Sequence, residues 1–189
     1  MKNNSIRTRL GIENFKNVRF LTLTGLFIAL YIVLDQFSLQ VTESLRIGFS
    51  FLMLAMVGLF CGPVLGMAAG AICDIMGAVL FPRGAYFPGY TVSAIVGGLI
   101  YGLLLYRKPV SLWRSLLSRG LVDLFVNVGL NTLWLSITMG QAWKVLVVTR
   151  FTKNAILLVP EALVLFGVSI AADRIARRIG WTGRSGVKK

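Results

Sequence analysis

The sequence contains no histidine and only seven acidic residues among its 189 positions. It also has no Walker-type glycine loop, no serine with a plausible base partner, and no cysteine or carboxylate cluster with metal-ligand spacing. We therefore expect no enzymatic function, no cofactor and no bound metal. The two cysteines, Cys61 and Cys73, lie beside or within apolar segments, and we interpret both as reduced packing residues.

Hydrophilic sequence is equally scarce. The chain is 56% hydrophobic and 14% charged, and its mean hydropathy is +0.77. This composition is typical of an integral membrane protein. No hydrophilic stretch is long enough for a soluble domain, so any ATPase that the protein needs is expected on another chain. The first apolar run is of spanning length and lacks a small-x-small cleavage site, so we do not expect its removal as a signal peptide.

The apolar runs predict an all-α integral membrane protein, a bundle of six transmembrane helices. The spans are expected at about 20–37, 47–60, 64–81, 91–106, 116–138 and 154–172. The second is short for a perpendicular crossing because Cys61-Gly62-Pro63 interrupts it. The expected organisation is a basic N-terminal segment at 1–19, a membrane domain at 20–178 and a basic tail at 179–189.

The formal net charge is +13, which by itself would suggest nucleic acid as a partner. Most of the cations instead flank the first and last spans, so the positive-inside rule places both termini in the cytoplasm and no nucleic-acid partner is expected. With six spans, four further cations fall on that side: Arg107, Lys108, Arg114 and Arg119. The remaining five fall on outer loops or helix ends: Arg46, Arg83, Lys144, Arg150 and Lys153. Positive charge retained outside suggests an anionic ligand arriving from that side.

Two acids occur inside apolar spans, Asp74 in the third and Glu161, directly after Pro160, in the sixth. An ionisable group at membrane depth is a candidate functional residue, and hydrogen bonding between helices is the alternative. A carboxylate of this kind can accept two hydrogen bonds from an amino-pyrimidine edge or pair with a buried arginine.

Polar and aromatic residues concentrate in two places. One face of the fifth helix carries Asn127, Asn131 and Trp134. We expect this face either to line a ligand pocket or to join helices by hydrogen bonds. The segment 82–90 has two prolines and two glycines, enough to stop both flanking helices. It presents three aromatic residues: Tyr86, Phe87 and Tyr90.

Several motifs together resemble the substrate-binding S components of energy-coupling factor (ECF) vitamin transporters, most of all the folate-specific members. The motifs are the small-residue pair Gly25 and Ala29 on the first helix, Cys73-Asp74-Ile75-Met76-Gly77, Phe81-Pro82-Arg83-Gly84-Ala85-Tyr86-Phe87-Pro88-Gly89-Tyr90 and Arg150-Phe151-Thr152-Lys153-Asn154. The usual pair on the first helix is two alanines, so Gly25 is a mild departure. By this resemblance, Gly25 and Ala29 dock on the transmembrane coupling subunit.

The resemblance implies a subunit in the cell membrane that captures folate outside, joins the coupling subunit and two ATPases, and topples to release its cargo inward. Folate needs aromatic walls, a polar group for the pterin edge and cations for its glutamate. We expect Tyr86, Phe87, Tyr90 and Trp134 to enclose the pterin. Asp74 and Asn131 are expected to bind its edge. The expected carboxylate contacts are Arg83, Arg150, Lys153 or Arg46.

Three other functions stay open. The chain could be an S component for another vitamin, such as a riboflavin-like flavin. It could be a self-contained channel or carrier, although no convincing internal repeat is present. It could also be a membrane-embedded assembly factor without cargo.

Overall fold

The structure is a computed structural model that describes residues 10–42, 45–82, 86–140, 143–178 and 180. Most of the predicted basic tail and residues 1–9 of the predicted N-terminal segment lie outside the described residues. The described part forms a short 3₁₀ helix, Ile12–Lys16, and six longer helices: α1 (Val18–Gln36), α2 (Phe51–Cys61), α3 (Pro63–Leu80), α4 (Pro88–Leu105), α5 (the consecutive stretches Leu112–Leu121, Val122–Leu130 and Asn131–Met139) and α6 (Trp143–Arg178). The predicted all-α membrane fold is confirmed.

Five of these helices are long and apolar enough to cross a membrane, and α2 is the exception. Its 11 residues rise only roughly 16 Å at about 1.5 Å per residue. That is about half of a hydrocarbon core roughly 30 Å thick. Helix α2 is nevertheless the most deeply buried, with its residues Ala55, Met56 and Val57 almost inaccessible to solvent. It therefore serves as the centre of the bundle.

The prediction that the second apolar run begins as a helix at Ile47 is wrong. Leu45–Ile47 is strand β2, which pairs antiparallel with β1, Leu39–Thr42. Leu45-Arg46-Ile47 alternates apolar and polar residues, as a short strand does, and Gly48 follows it. The hairpin connects α1 to α2.

Helices α3 and α4 share the closest interface of the bundle. Gly66 of α3 lies against Gly98 of α4, and a methyl group on Gly98 would collide with the backbone carbonyl of Gly66. Ala94 approaches Gly70 in the same way. Small residues allow two membrane helices to pack backbone to backbone. This contact fixes the two helices that carry Asp74 and Tyr90.

Helix α6 is longer than predicted. It begins at Trp143, whereas the sequence interpretation began it near Asn154. The charges at Lys144, Arg150 and Lys153 made this stretch look like a loop. In the structure they lie on a continuous helix in which Leu146 is buried. The charged side chains are accommodated because the helix borders a polar cavity.

Helix α5 changes its winding in the middle. Val122–Leu130 forms π-helical turns between two α-helical stretches. The backbone carbonyl of Asn127 there accepts hydrogen bonds from two side chains, Thr132 Oγ1 at 3.3 Å and Arg150 Nη1 at 3.2 Å. Such π segments inside helices often occur at functional sites.

Candidate ligand cavity

A cavity of about 380 Å³ opens among the helices, on the side where α1 and α3 end and α4 and α6 begin. Five residues predicted for the site line it: Asp74, Tyr90, Asn131, Arg150 and Lys153. They come from four helices, α3, α4, α5 and α6. The volume lies in the range of small-molecule sites. The folding of the bundle therefore brings together polar residues that are far apart in sequence.

Asp74 lies half-buried in the penultimate turn of α3. Its Oδ2 accepts a hydrogen bond of 2.6 Å from Thr91 Oγ1. Thr91 Oγ1 is in turn 2.6 Å from the hydroxyl of Tyr86. Tyr86 is exposed and outside the cavity wall, so its link to the site runs through Thr91. Thr91 and Tyr86 together hold the Asp74 carboxylate in one orientation.

Of the four aromatic residues predicted to enclose a pterin, only Tyr90 lines the cavity. Phe87 packs against both Tyr90 and Trp134, with ring centroids 6.2 and 5.5 Å apart. Trp134 Nε1 also donates a hydrogen bond of 3.0 Å to Ser93 Oγ. Phe87 and Trp134 therefore support Tyr90 and the cavity residue Ser93. The other aromatic residues in the wall are Tyr31, Phe51 and Tyr101.

The expectation that Arg150 and Lys153 lie on outer loops or helix ends is wrong. Both lie within α6, both are half-buried, and both line the cavity. A half-buried cation is tolerated where polar groups and a water-accessible cavity replace its hydration. Arg46 lies in β2, two residues before the cavity residue Gly48. Arg83 lies outside the described residues.

A buried ion cluster forms part of the cavity wall. Arg119 contacts Glu161 through Nε at 2.8 Å and Nη2 at 2.7 Å, and Asp123 Oδ1 at 3.2 Å. It also donates to the Tyr101 hydroxyl at 3.2 Å, and its guanidinium carbon lies 4.0 Å from the centre of the Phe51 ring. Arg119 and Glu161 both line the cavity.

Arg119, which the sequence interpretation counted with the loop charges of the cytoplasmic side, is therefore buried within the bundle, with an exposed fraction of only 6%. Two carboxylates and a hydroxyl surround the guanidinium, and paired charges can be kept inside a protein where a lone charge cannot. The interpretation of Glu161 as a buried acid agrees with its exposed fraction of 6%.

Sequence reasoning missed several wall residues, among them Tyr31, Asp35, Tyr101 and Arg119. Asp35 is an acid near the end of an apolar run, the criterion that identified Asp74. Arg119 stands four residues before Asp123 inside a predicted span, which is the spacing of an ion pair on a helix. Both signals were present in the sequence.

The small-residue pair on α1 faces away from the bundle. Gly25 and Ala29 are exposed, whereas Thr24 and Ile28 on the other face are buried. A methyl group at Gly25 would meet nothing within 4 Å among the described residues. This surface of α1 is open for another helix.

The helical bundle and its polar cavity define a membrane protein that binds a small molecule. A family model described as "ECF transporter, substrate-specific component" matches residues 19–169. The chain belongs to this family, the substrate-specific components of ECF transporters, as its motifs predicted.

Two relatives named "Folate transporter FolT" are similar to the chain. The protein of Clostridium novyi (strain NT) is 44% identical over 160 residues, which cover 85% of this chain and 93% of that protein. The protein of Leuconostoc mesenteroides subsp. mesenteroides is 33% identical over 129 residues, 68% of this chain and 69% of that protein. A solved structure titled "Crystal structure of FolT bound with folic acid" matches with a TM-score of 0.72 and 31% identity. It covers 78% of this chain and 90% of that chain.

Proposed function

We propose that this protein is the substrate-binding subunit of an ECF-type importer and that it captures folate from outside the cell for ATP-driven uptake by partner subunits. The observation that carries the proposal is the cavity itself, which combines the carboxylate of Asp74 on α3 with two cations, Arg150 and Lys153, on α6. The similarity to two proteins named folate transporters supports the choice of ligand.

The chemistry of folate matches this arrangement. The pterin presents N–H donors on its amino-pyrimidine edge, and a carboxylate such as that of Asp74 can accept two of them. Tyr90 offers a ring against which the flat pterin packs. The glutamate part carries two carboxylates, which we assign to Arg150 and Lys153. Arg46 and Arg83 are further candidates for the same carboxylates.

The remaining predicted residues take supporting roles in this proposal. Phe87 and Trp134 hold Tyr90 and Ser93 in place through ring packing and a hydrogen bond. Tyr86 orients Asp74 through Thr91. Asn131 is the exception, because its side chain lies in the cavity wall and stays assigned to the pterin edge.

The orientation in the membrane follows from the charges. With both termini in the cytoplasm, α1 ends at the outer surface of the cell membrane, and the cavity opens beside its last turns at Tyr31 and Asp35. The ligand then enters from outside. This is the direction in which an importer must receive its cargo.

Energy for release comes from other chains in this proposal. The sequence has no Walker-type loop, so we assign ATP hydrolysis to two partner ATPases and docking on the coupling subunit to the open face at Gly25 and Ala29. Close helix packing across small residues suits a contact that forms and breaks within the bilayer.

Isothermal titration calorimetry on the purified protein in detergent tests the ligand. Folic acid, pteroic acid and riboflavin are titrated in parallel; pteroic acid keeps the pterin and benzoyl parts of folate but lacks its glutamate. We expect saturable binding of folic acid, weaker binding of pteroic acid and no binding of riboflavin. Binding of riboflavin without binding of folic acid would overturn the proposal in favour of a flavin-specific subunit.

A further inference from the structure

Four polar side chains lie at intervals of four residues along one face of α5. This polar row consists of Arg119, Asp123, Asn127 and Asn131. Side chains four apart on a helix are neighbours. All members except Asp123 line the cavity, and Asp123 is buried behind them with an exposed fraction of 4%. The row therefore connects the buried ion cluster to the ligand-facing wall.

Hydrogen bonds join each member of the polar row to the next. Arg119 Nη2 lies 3.2 Å from Asp123 Oδ1. Asn127 Nδ2 donates to the same oxygen at 2.7 Å. Asn131 Nδ2 donates to Asn127 Oδ1 at 3.3 Å. Both amides thus point their nitrogen atoms towards Asp123.

The direction of these bonds is determined by Asp123. An ionised carboxylate only accepts hydrogen bonds, whereas an amide has one end that donates and one that accepts. Asn127 must therefore turn its NH₂ group to Asp123, which leaves its oxygen for Asn131. Asn131 must turn its own NH₂ group to Asn127, and its oxygen remains. Without the carboxylate, either amide could rotate by half a turn at little cost.

The last atom of the row has no partner. Asn131 Oδ1 is buried and accepts no hydrogen bond from any described residue, although Asn131 lies in the cavity wall. Buried acceptors without a partner are rare in folded proteins, and each requires a physical reason. An N–H group of a bound molecule would satisfy this oxygen.

The burial of Asp123 inside a membrane span also requires a physical reason. It is a carboxylate at membrane depth, and its Oδ2 has no partner within the described part of the chain. Glu161 already neutralises Arg119 at 2.7 Å. A second acid beside the same arginine is an unfavourable way to stabilise a fold, and buried ionisable groups in membranes are by default functional.

We propose that Asp123 is a positioning residue for ligand recognition. It fixes the orientation of Asn127 and Asn131, so that Asn131 presents an oxygen acceptor to an N–H donor of the bound heterocycle. This rests on the proposed function, because the amino-pyrimidine edge of a pterin supplies such donors. The polar row thereby selects ligands by the donor pattern of their ring edge.

The test is an exchange of residues along the polar row, read out as the Kd of folic acid by calorimetry. Asp123→Asn removes the obligatory acceptor, and we expect the Kd to rise at least about tenfold because the ligand-facing amide is no longer fixed. In the double variant Asp123→Asn/Asn131→Asp, the hydrogen bonds of the polar row are donated in the opposite direction. The amide introduced at position 123 donates to Asn127, Asn127 donates towards position 131, and the carboxylate introduced there again presents an acceptor.

We expect the double variant to bind folic acid within about threefold of the wild type while the single variant stays weak, since a difference of that size is below 1 kcal/mol. A merely structural role of Asp123 predicts no such rescue, so equal weakness of both variants would overturn the proposal. Unchanged binding by Asp123→Asn would overturn it as well. Asp173→Asn, the same substitution near the end of α6, is the matched control.

If Asp123→Asn does not fold, Asn127→Ala carries the same test. It interrupts the polar row but leaves the contact between Arg119 and Asp123 in place. The expected result is the same weakening, and unchanged affinity would overturn the proposal. A wild-type protein that does not bind folic acid would overturn the proposed function and this role with it. If the wild type and Asn127→Ala bind folic acid with the same Kd, the positioning role is overturned and the proposed function is not.

Discussion

Arg119 of α5 and Glu161 of α6 form an ion pair at 2.7 Å, with both side chains less than a tenth exposed, across a separation of 42 residues in the sequence. The pair joins the two helices that carry most of the cations and amides of the cavity. The pair therefore holds α5 against α6 at the wall of the cavity.

Removal of one partner of this pair should destabilise the protein. Glu161→Leu leaves the Arg119 guanidinium with Asp123 as its remaining carboxylate, and breaking a buried pair costs about 3–5 kcal/mol. We expect the free energy of unfolding to fall by about 2–4 kcal/mol because Asp123 retains part of the interaction. Thermal unfolding of the purified protein measures the change.

The control for that prediction is the pair of Arg177 and Asp173, in which the arginine side chain is 79% exposed. Arg177→Leu should cost less than about 1 kcal/mol, since solvent screens the charge of its exposed side chain. Equal melting temperatures for wild type and Glu161→Leu would show that the buried pair contributes no stability.

The cations of α6 should act on the glutamate part of folate and not on the pterin. Arg150→Ala and Lys153→Ala each remove one charged hydrogen bond, worth about 1.5–3 kcal/mol, so the Kd of folic acid should rise about tenfold or more. The Kd of pteroic acid should change much less, because that ligand lacks the glutamate. Calorimetry with both ligands measures the difference.

Lys144→Ala is the matched control for these variants, because Lys144 is exposed on the same helix and outside the cavity wall. It should bind both ligands as the wild type does. An equal loss of affinity for folic and pteroic acid in Lys153→Ala would contradict the assignment of this cation to the glutamate.

A bulky residue on the open face of α1 should separate binding from uptake. Gly25→Leu adds a side chain at a position where a β-carbon would meet no atom of the described residues within 4 Å. We expect unchanged folic acid binding by the purified subunit and strongly reduced folate uptake by cells that contain the complete transporter. Gly167→Leu on α6 is the control, because a β-carbon there also has no neighbour within 4 Å in the described part of the chain, and it should leave both unchanged. Normal uptake with Gly25→Leu would contradict docking at this face.

The close contact of α3 with α4 should tolerate no added atoms. Gly98→Ala places a methyl group against the carbonyl of Gly66, so the helices must separate, and overpacking of this kind typically costs about 1–3 kcal/mol. Gly77→Ala on α3 adds the same methyl group where no atom of residues 10–42, 45–82, 86–140 or 143–178 lies within 4 Å, and it should be neutral or slightly stabilising. Thermal unfolding compares the two, and equal melting temperatures would contradict the packing.

The membrane fold and part of the cavity follow from local sequence signals. Apolar runs of spanning length predict five of the six helices, and an acid inside such a run identifies Asp74. The spacing of Arg119 and Asp123 indicates an ion pair within α5, but the contact of Arg119 with Glu161 has no local signal, because Glu161 is on another helix. The early start of α6 was missed because charged residues interrupt the apolar run of this helix. Charges near Arg150 look like a loop until the cavity that surrounds them is known.

The most direct test of the account is the Kd of folic acid for Asp74→Asn/Arg150→Ala compared with the wild type. We expect tight binding by the wild type and a loss of about a hundredfold or more in the double variant, since two charged contacts worth about 1.5–3 kcal/mol each are removed. Asp173→Asn serves as the control. Equal affinity of the double variant and the wild type would contradict the assignment of this cavity as the folate site.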